Sequence, residues 1–337
     1  MENKKNISLF FGGTAYLGIP HNDEFRKLFI RGMEIYGVNH GASRNNNITL
    51  DIFSIAEKEA ARRFGAPHSI IISSGYLSAQ LVIQNYRSSH KLIYAPETHP
   101  ALWLGIPDPP KLKFNEWAEQ TVQLVNSCSE PCMIISNSVN NLIPEIYDFN
   151  WLKRIDPSHD VTLLVDDSHG IGITGENGQG VFKELPNLAK IKTIVISSLA
   201  KALGTDAGII LSDLNTVREL RNTPIYAGSS PPSPGALFAF TNAETIYSNE
   251  LKKLRHNLRL FTDLLISKEK LFFIPDFPVF LVPDDQLAVH LKKNGINFSS
   301  FPYPDPKSKS LHRIVISSIH TTEELGILAG LINEFKS

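Results

Sequence analysis

The chain of 337 residues is poor in cysteine, carries almost no net charge and has no apolar run of membrane-spanning length. Its two cysteines, Cys128 and Cys132, form a single C-x3-C pair, and no second pair completes a zinc site. The net charge of −1 disfavours a nucleic-acid surface, which needs a basic excess, but permits a small anionic ligand. The first residues lack the apolar segment of a signal peptide. We therefore expect a cytoplasmic protein with reduced thiols, no bound metal, no nucleic-acid partner and no membrane association.

Apolar runs that are typical of buried strands alternate with helical spacing between about residues 69 and 211. This alternation predicts a mostly parallel sheet with helices on both faces. After the proline-rich break at 231–234, a long helical stretch to residue 267 precedes several short strands and helices, the first strand over 271–274. We expect three parts: an N-terminal segment (1–45), a large α/β domain (46–240) and a small α+β C-terminal domain (241–337).

Lys201 lies between two apolar runs, Lys192–Val195 and Gly208–Leu211. In apolar surroundings a lysine loses part of its preference for the charged form, and its neutral amine can form a Schiff base. Another apolar run, Leu163–Val165, ends in titratable residues, among them Asp166 and His169. Because small ligands bind at strand ends of open α/β sheets, we expect these groups to share a site.

A possible phosphate site follows an earlier predicted strand. Ser74, Gly75 and Tyr76 lie between that strand and a predicted helix, so they would place N–H groups and hydroxyls at a helix N-terminus. His99 follows the next predicted strand. A lysine for a Schiff base, an aspartate for a pyridinium N–H, a histidine for a ring and a Ser-Gly turn for a phosphate together describe a pyridoxal phosphate site.

Two other motifs fit the same stretches less well. Residues 170–175 match G-x-G-x-x-G, but the glycine-rich residues that follow cannot open the helix that a dinucleotide site needs. Residues 198–201 match S-x-x-K, the nucleophile motif of penicillin-interacting enzymes. The chain has no K-T-G segment, and its plausible S-x-N match, Ser138–Asn140, comes before the serine.

The sequence resembles the α-oxoamine synthases. Residues 165–180, VDDSHGIGITGENGQG, are similar to their VDDAHGxGxxGxxGxG signature, and residues 198–204, SLAKALG, to their lysine motif T-x-[SG]-K-A-x-G. Further similar segments are Ser73–Tyr76, Thr98–Ala101, Tyr16–Gly18, Ala42–Arg44 and Arg313 with His320-Thr321. The resemblance covers roughly residues 14 to 335. It implies a fold type I pyridoxal phosphate-dependent transferase, with a mostly parallel seven-stranded sheet in the large domain and a smaller α+β C-terminal domain.

The resemblance, which is to enzymes similar to 8-amino-7-oxononanoate synthase, also implies residue roles. Lys201 would bind the cofactor and move the Cα proton, Asp166 would pair with the pyridine nitrogen, and His169 would hydrogen-bond the phenolic oxygen. His99 would stack on the ring. Four residues would hold the phosphate: Ser74, Gly75, Tyr76 and Ser198. Three would bind substrate: Arg313, which suits an amino-acid carboxylate, with Arg44 and Asn141.

The family condenses an amino acid with an acyl-CoA, with loss of CO2, and works as a homodimer with its sites at the interface. This sequence departs from the family pattern in places. An N-terminal helix is expected to be absent, Gly228 replaces a threonine, and Asn137-Ser138-Val139-Asn140-Asn141-Leu142 replaces E-G-V-[FY]-S-M. These differences leave the cofactor-binding residues largely intact and affect the positions expected to bind the acyl-CoA substrate. An aminotransferase, or a weakly catalytic pyridoxal phosphate-binding protein, is therefore the alternative on the same scaffold.

Overall fold

The computed structural model describes residues 8–105, 110–140, 142–303 and 307–336. Within these ranges the strands are β1 Leu9–Phe11, β2 His68–Ile72, β3 Lys91–Tyr94, β4 Cys132–Asn137, β5 Val139–Asn140, β6 Glu145–Ile146, β7 Val161–Asp166, β8 Ile191–Ser198, β9 Gly208–Ser212, β10 Val279–Leu281, β11 Ile296–Pro302 and β12 Ser310–Val315. The α-helices are α1 Asp23–Tyr36, α2 Asp51–Phe64, α3 Gly75–Tyr86, α4 Phe114–Asn126, α5 Leu214–Arg221, α6 Pro224–Gly228, α7 Pro234–Asn242, α8 Glu244–Leu264, α9 Asp285–Lys293 and α10 Thr322–Glu334.

The larger sheet has the strand order β2-β9-β8-β7-β4-β3. The four strands β3, β4, β7 and β8 are parallel, and β9 is antiparallel to both of its neighbours. We expected seven strands, but the described part of the chain contributes six to this sheet. After β3 the chain enters a 3-10 turn, Pro100–Leu102.

Helices cover both faces of this sheet, as the apolar runs predict. All residues of β4 and β7 are buried, because a parallel sheet between two helix layers exposes neither face. On β2, Ile70 packs into the cluster that contains α3, whereas Ile71 packs into the cluster that contains α2. This alternation follows from the two-residue period of a strand.

The smaller sheet has the order β1-β11-β12-β10, with β1 parallel to β11 and the other pairs antiparallel. The N-terminal segment therefore supplies a strand to this sheet, with Phe11 opposite Phe298. The strand expected at 271–274 is reduced to an isolated bridge between Phe272 and Leu281. No helix in the described ranges is both long and apolar enough to cross a bilayer.

Candidate active site

The carboxyl ends of β7 and β8 carry the central residues of the site. Asp166 is the last residue of β7 and lies opposite Ile196 of β8, and Lys201 follows β8 by three residues. The turn after β7 is tied to β8 because the Ser198 backbone N–H donates to Ser168 Oγ at 2.9 Å. The parallel pairing therefore brings the two predicted strand ends together.

Lys201, His169 and Tyr16 form a chain of close contacts. Lys201 Nζ lies 3.0 Å from His169 Nε2. His169 Nδ1 lies 2.7 Å from the hydroxyl of Tyr16, which is fully buried. Tyr16 comes from the loop between β1 and α1, so this chain of contacts joins the N-terminal segment to the large sheet.

Burial determines the protonation of these three groups. Loss of hydration lowers the pKa of the Lys201 amine. The Asp166 carboxylate opposes this shift, and the Arg313 guanidinium adds to it. Loss of hydration also lowers the pKa of His169 well below its usual value, as do Lys201 and other positive neighbours. Burial raises the pKa of Tyr16 to about 12. The phenol of Tyr16 therefore keeps its proton and donates to Nδ1, which leaves Nε2–H of the neutral His169 facing the Lys201 amine.

The adjacent carboxyl groups of Asp166 and Asp167 make different contacts. Asp166 Oδ1 accepts from the Ser168 N–H at 2.9 Å, and its charge acts on Lys201. Asp167 Oδ1 accepts from Ser138 Oγ at 2.5 Å, and Oδ2 accepts from the Val181 N–H at 2.7 Å. Burial raises the pKa of Asp167 to about 7. Asp166 is thus the carboxylate that acts on the site, and Asp167 holds the turn behind it.

His99 approaches the site from the end of β3. Its Nδ1 accepts from the Ala101 N–H at 3.1 Å, so the proton of the neutral ring lies on Nε2. Desolvation lowers the pKa of His99, while Asp166 raises it and Lys201 lowers it. Because Asp166 and Lys201 both shift the pKa of His99, the His99 ring lies close to the two strand ends described above.

The predicted phosphate residues meet where α3 begins. Ser74 is the N-cap of α3, and its Oγ accepts from the Leu77 N–H at 3.1 Å. A Cβ added to Gly75 would lie 2.7 Å from Ser198 Cβ, so glycine is what allows the start of α3 to approach the end of β8. Tyr76 is exposed at this helix start. The first N–H groups of a helix have no intrahelical partner, which suits this turn to a phosphate.

Arg313, on β12 of the smaller sheet, has an unsatisfied buried guanidinium. The residue is 6% exposed, and its Nε and Nη2 have no hydrogen-bond partner among the described residues. Its charge lowers the pKa of Tyr16, His169 and Lys201. Two buried N–H donors without an acceptor fit an incoming carboxylate. Together with the lysine, the carboxylate and the anion turn, this arrangement fits pyridoxal phosphate and an amino acid.

Arg44, which was expected to bind substrate, is not part of this group of contacts. Arg44 donates to Glu57 Oε1 at 3.1 Å and lies 4.5 Å from the centre of the Phe53 ring. Both partners of the ion pair are buried, so the guanidinium of Arg44 is already committed to the protein. Asn141 lies outside the described residues.

The sequence analysis did not include Tyr16, Asn137 or Ser138 among the site residues. Tyr16 lies in the segment Tyr16–Gly18, which resembles the family, and that was the available signal. Asn137 and Ser138 had been noted only as departures from the family pattern. Their contacts depend on the order of the strands, which one sequence does not show.

Residues 110–332, more than half of the chain, match the family model described as aminotransferase class I and II. A similar protein is the 8-amino-7-oxononanoate synthase of Petrotoga mobilis, which is 26% identical over 332 residues, covering 92% of this chain and 84% of that protein. The serine palmitoyltransferase of Bacteroides thetaiotaomicron is 27% identical over 254 residues, covering 73% of this chain and 64% of that protein.

Solved structures show the same fold. An 8-amino-7-oxononanoate synthase from Francisella tularensis superposes with a TM-score of 0.76 at 21% identity, covering 98% of each chain. A serine palmitoyltransferase from Sphingomonas wittichii gives a TM-score of 0.81 at 19% identity, covering 97% of this chain and 86% of that one. These similarities confirm the fold type I architecture. With the family match, they show that the chain belongs to the aminotransferase class I and II family of pyridoxal phosphate-dependent enzymes.

Proposed function

We propose that this protein is a pyridoxal phosphate-dependent acyltransferase of the α-oxoamine synthase type, similar to 8-amino-7-oxononanoate synthase. Its substrates would be an amino acid and an acyl-CoA. In the net reaction a bond forms between Cα and the thioester carbonyl carbon, the CoA thiol leaves, and the Cα–carboxylate bond breaks to release CO2. The observation that carries the proposal is the contact of the Lys201 amine, whose pKa burial lowers, with His169, in a site where Arg313 has free donors for a carboxylate.

The site residues would divide the work. The bound cofactor supplies an electron-accepting pyridinium ring. Lys201 would hold the cofactor through its amine and carry the Cα proton, for which a lowered pKa is required. Asp166 would keep the ring nitrogen protonated, and His169 would donate from Nε2 to the phenolic oxygen. His99 would cover one face of the ring.

The remaining contacts would bind the charged groups. The turn that contains Ser74, Gly75 and Tyr76, together with Ser198, would hold the cofactor phosphate at the start of α3. Arg313 would pair with the carboxylate of the amino acid. The names of the similar proteins support an acyl donor, since both enzyme names describe α-oxoamine synthases.

We also propose a cytoplasmic homodimer with its sites at the interface. Apolar side chains are exposed on α1 and in the loop between α1 and α2, which is unusual for a surface without a partner. They are Ile30, Ile35, Val38 and Ile48. A cavity of about 510 Å3 lies between residues 39–43 and 227–231, close to Val38 in the sequence.

The test is a product analysis with purified protein loaded with pyridoxal phosphate. Single amino acids are added with and without an acyl-CoA, and free CoA thiol, CO2 and the ketone product are measured. We expect thiol and CO2 in equal amounts, and only when both substrates are present. Transfer of the amino group to an oxo acid would instead identify an aminotransferase. A loaded protein that responds to no amino acid would identify a cofactor-binding protein.

A further inference from the structure

Asn137 and Ser138, at the end of β4, form hydrogen bonds in opposite directions to the two neighbouring strand ends. In the larger sheet β4 lies between β3 and β7. The side chain of Asn137 reaches the turn after β3, which carries His99, and the side chain of Ser138 reaches the turn after β7. Both residues are buried, at 4% and 2% exposure. A single short segment therefore contacts both turns that carry site residues.

The amide of Asn137 clamps the turn before His99. Its Nδ2 donates to the Glu97 carbonyl at 2.6 Å, and its Oδ1 accepts from the His99 N–H at 3.2 Å. Glu97 has φ of 55°, a conformation that residues with a side chain rarely adopt. Because the amide binds the backbone at Glu97 and two residues further on, it holds this turn in place and sets the direction of His99. In this chain an ionised aspartate at position 137 would lose the bond to the Glu97 carbonyl, since it has no donor.

Ser138 acts on the other strand end. Its Oγ donates to Asp167 Oδ1 at 2.5 Å, and its N–H donates to the Asp166 carbonyl at 2.9 Å. The second oxygen of Asp167 is held by the Val181 N–H. The buried Asp167 carboxylate therefore links β4 to the glycine-rich loop after His169. This link holds the backbone from which the Asp166 side chain projects.

We propose that Asn137 and Ser138 are positioning residues that set the spacing between His99 and Asp166. His99 and Asp166 lie on turns of different strands, and the side-chain bonds of β4 connect those turns. The inference rests on the proposed function, because it assumes a cofactor ring whose face meets His99 and whose nitrogen meets Asp166. A ring held from two directions needs both contacts at a fixed separation.

The experiment compares two isosteric changes in one segment. N137D removes the donor to the Glu97 carbonyl. N140D is the control for placing a carboxylate in this segment. Asn140 is also buried, and its Oδ1 accepts from the N–H groups of Leu142 and Ile143, a role that aspartate keeps. Its side chain also bonds the Tyr147 hydroxyl, which can donate to aspartate. S138A removes the bond to Asp167. S136A is its control, since Ser136 Oγ donates to the backbone carbonyl of Asn137 and not to Asp167.

For N137D we expect kcat to fall about 100-fold with little change in KM for the amino acid, the size of effect expected from a small misplacement. The induced circular dichroism of the bound cofactor should weaken and the cofactor should dissociate faster. S138A should change the same readouts in the same direction. N140D and S136A should match the wild type in all of them.

The inference would be overturned if cofactor dichroism and cofactor dissociation in N137D were the same as in N140D, whether both variants match the wild type or both are impaired to the same extent. If N137D does not fold, Asn137→Ser is compared with Asn140→Ser in the same readouts, since both changes shorten the side chain in the same way. The two cofactor readouts need no acyl transfer. A wild-type protein that binds the cofactor without transferring acyl groups would therefore refute the proposed function, while a loss specific to N137D would still support the positioning role.

Discussion

The amine of Lys201 and the Nε2 of His169 are 3.0 Å apart, although 31 residues of chain lie between them. The contact exists because β7 and β8 are parallel neighbours whose ends reach the same edge of the sheet. It joins a lysine of lowered pKa to a histidine that stays neutral. The predictions below depend on this contact and on the groups that surround it.

Lys201→Ala should abolish covalent attachment of the cofactor and lower kcat by about 10²–10⁴-fold, the usual loss for a positioned acid–base group. Borohydride reduction followed by mass spectrometry measures the attachment, and the visible absorbance of the bound cofactor gives a second measurement. The exposed Lys190, replaced by alanine, is the control. A modified peptide that still appears in Lys201→Ala would show that another lysine holds the cofactor.

Tyr16→Phe should destabilise the protein by about 1–3 kcal/mol, because His169 Nδ1 would lose its donor inside the protein. Urea unfolding measures this free energy, and kcat should fall with it because the tautomer of His169 would no longer be fixed. Tyr94→Phe is a matched control, since the buried hydroxyl of Tyr94 has no hydrogen-bond partner among the described residues. Equal stability losses in the two variants would argue against the contact between Tyr16 and His169.

Arg313→Leu should raise KM for the amino acid by about 10–100-fold, the range that corresponds to losing hydrogen bonds to a charged group. The apoprotein should be no less stable than the wild type, because the change removes a buried cation with two unsatisfied donors. Steady-state kinetics and urea unfolding measure the two effects. An unchanged KM would exclude Arg313 as the carboxylate-binding residue.

Arg44→Leu should lower the stability of the protein and leave the KM for the amino acid unchanged, the reverse of Arg313→Leu. It would leave Glu57 partly unpaired in the interior, and we expect a loss of about 3 kcal/mol in the free energy of unfolding. The fraction that folds should keep the wild-type KM, since the guanidinium of Arg44 binds Glu57 and not a ligand. A raised KM without a loss of stability would return Arg44 to the substrate site.

The raised pKa of Asp167 predicts how stability depends on pH. The usual value is 3.8 and the folded value is about 7, so the folded state binds this proton more tightly than the unfolded state does. The stabilisation is complete below about pH 4 and is lost as the pH rises through 7, by about 4 kcal/mol in total. Urea unfolding between these pH values should show a shallower decline for Asp167→Asn, whose amide can still bond Ser138 and Val181. Identical slopes in both proteins would refute the shifted pKa.

The elements that could be predicted from the sequence are those whose local pattern agrees with their surroundings. Residues 25, 28, 29 and 33 are apolar at helical spacing, which predicts the helix α1 over Asp23–Tyr36. The strand β7 was predicted because its apolar run is continuous, as expected for a strand that is buried on both faces. β11 was missed because its sequence, INFSSFP, mixes serine and asparagine with apolar residues on a half-covered sheet. The single helix expected over 235–267 is divided at Ala243 into α7 and α8. The domain boundaries near 45 and 240 stay a prediction.

The site was predicted where one strand end carried several reactive residues, as in the stretch from Asp166 to His169. It was missed where a contact joins distant parts of the chain. Tyr16 meets His169 across 153 positions, and no periodicity reports such a contact. The same limit explains Arg44, whose partner Glu57 lies on the inner face of a helix that must pack before the ion pair can form.

The parallel pairing of β1 with β11 has a consequence for protein synthesis. A nascent chain leaves the ribosome from its N-terminus, so β1 must wait for residues 296–302 before it finds its neighbour. Tyr16 follows β1 closely, and its carbonyl accepts a hydrogen bond from the Ser318 N–H. The segment that carries Tyr16 therefore gains both of these contacts only when translation is nearly finished, and we expect a chain truncated before residue 296 to be inactive even if its large sheet has formed.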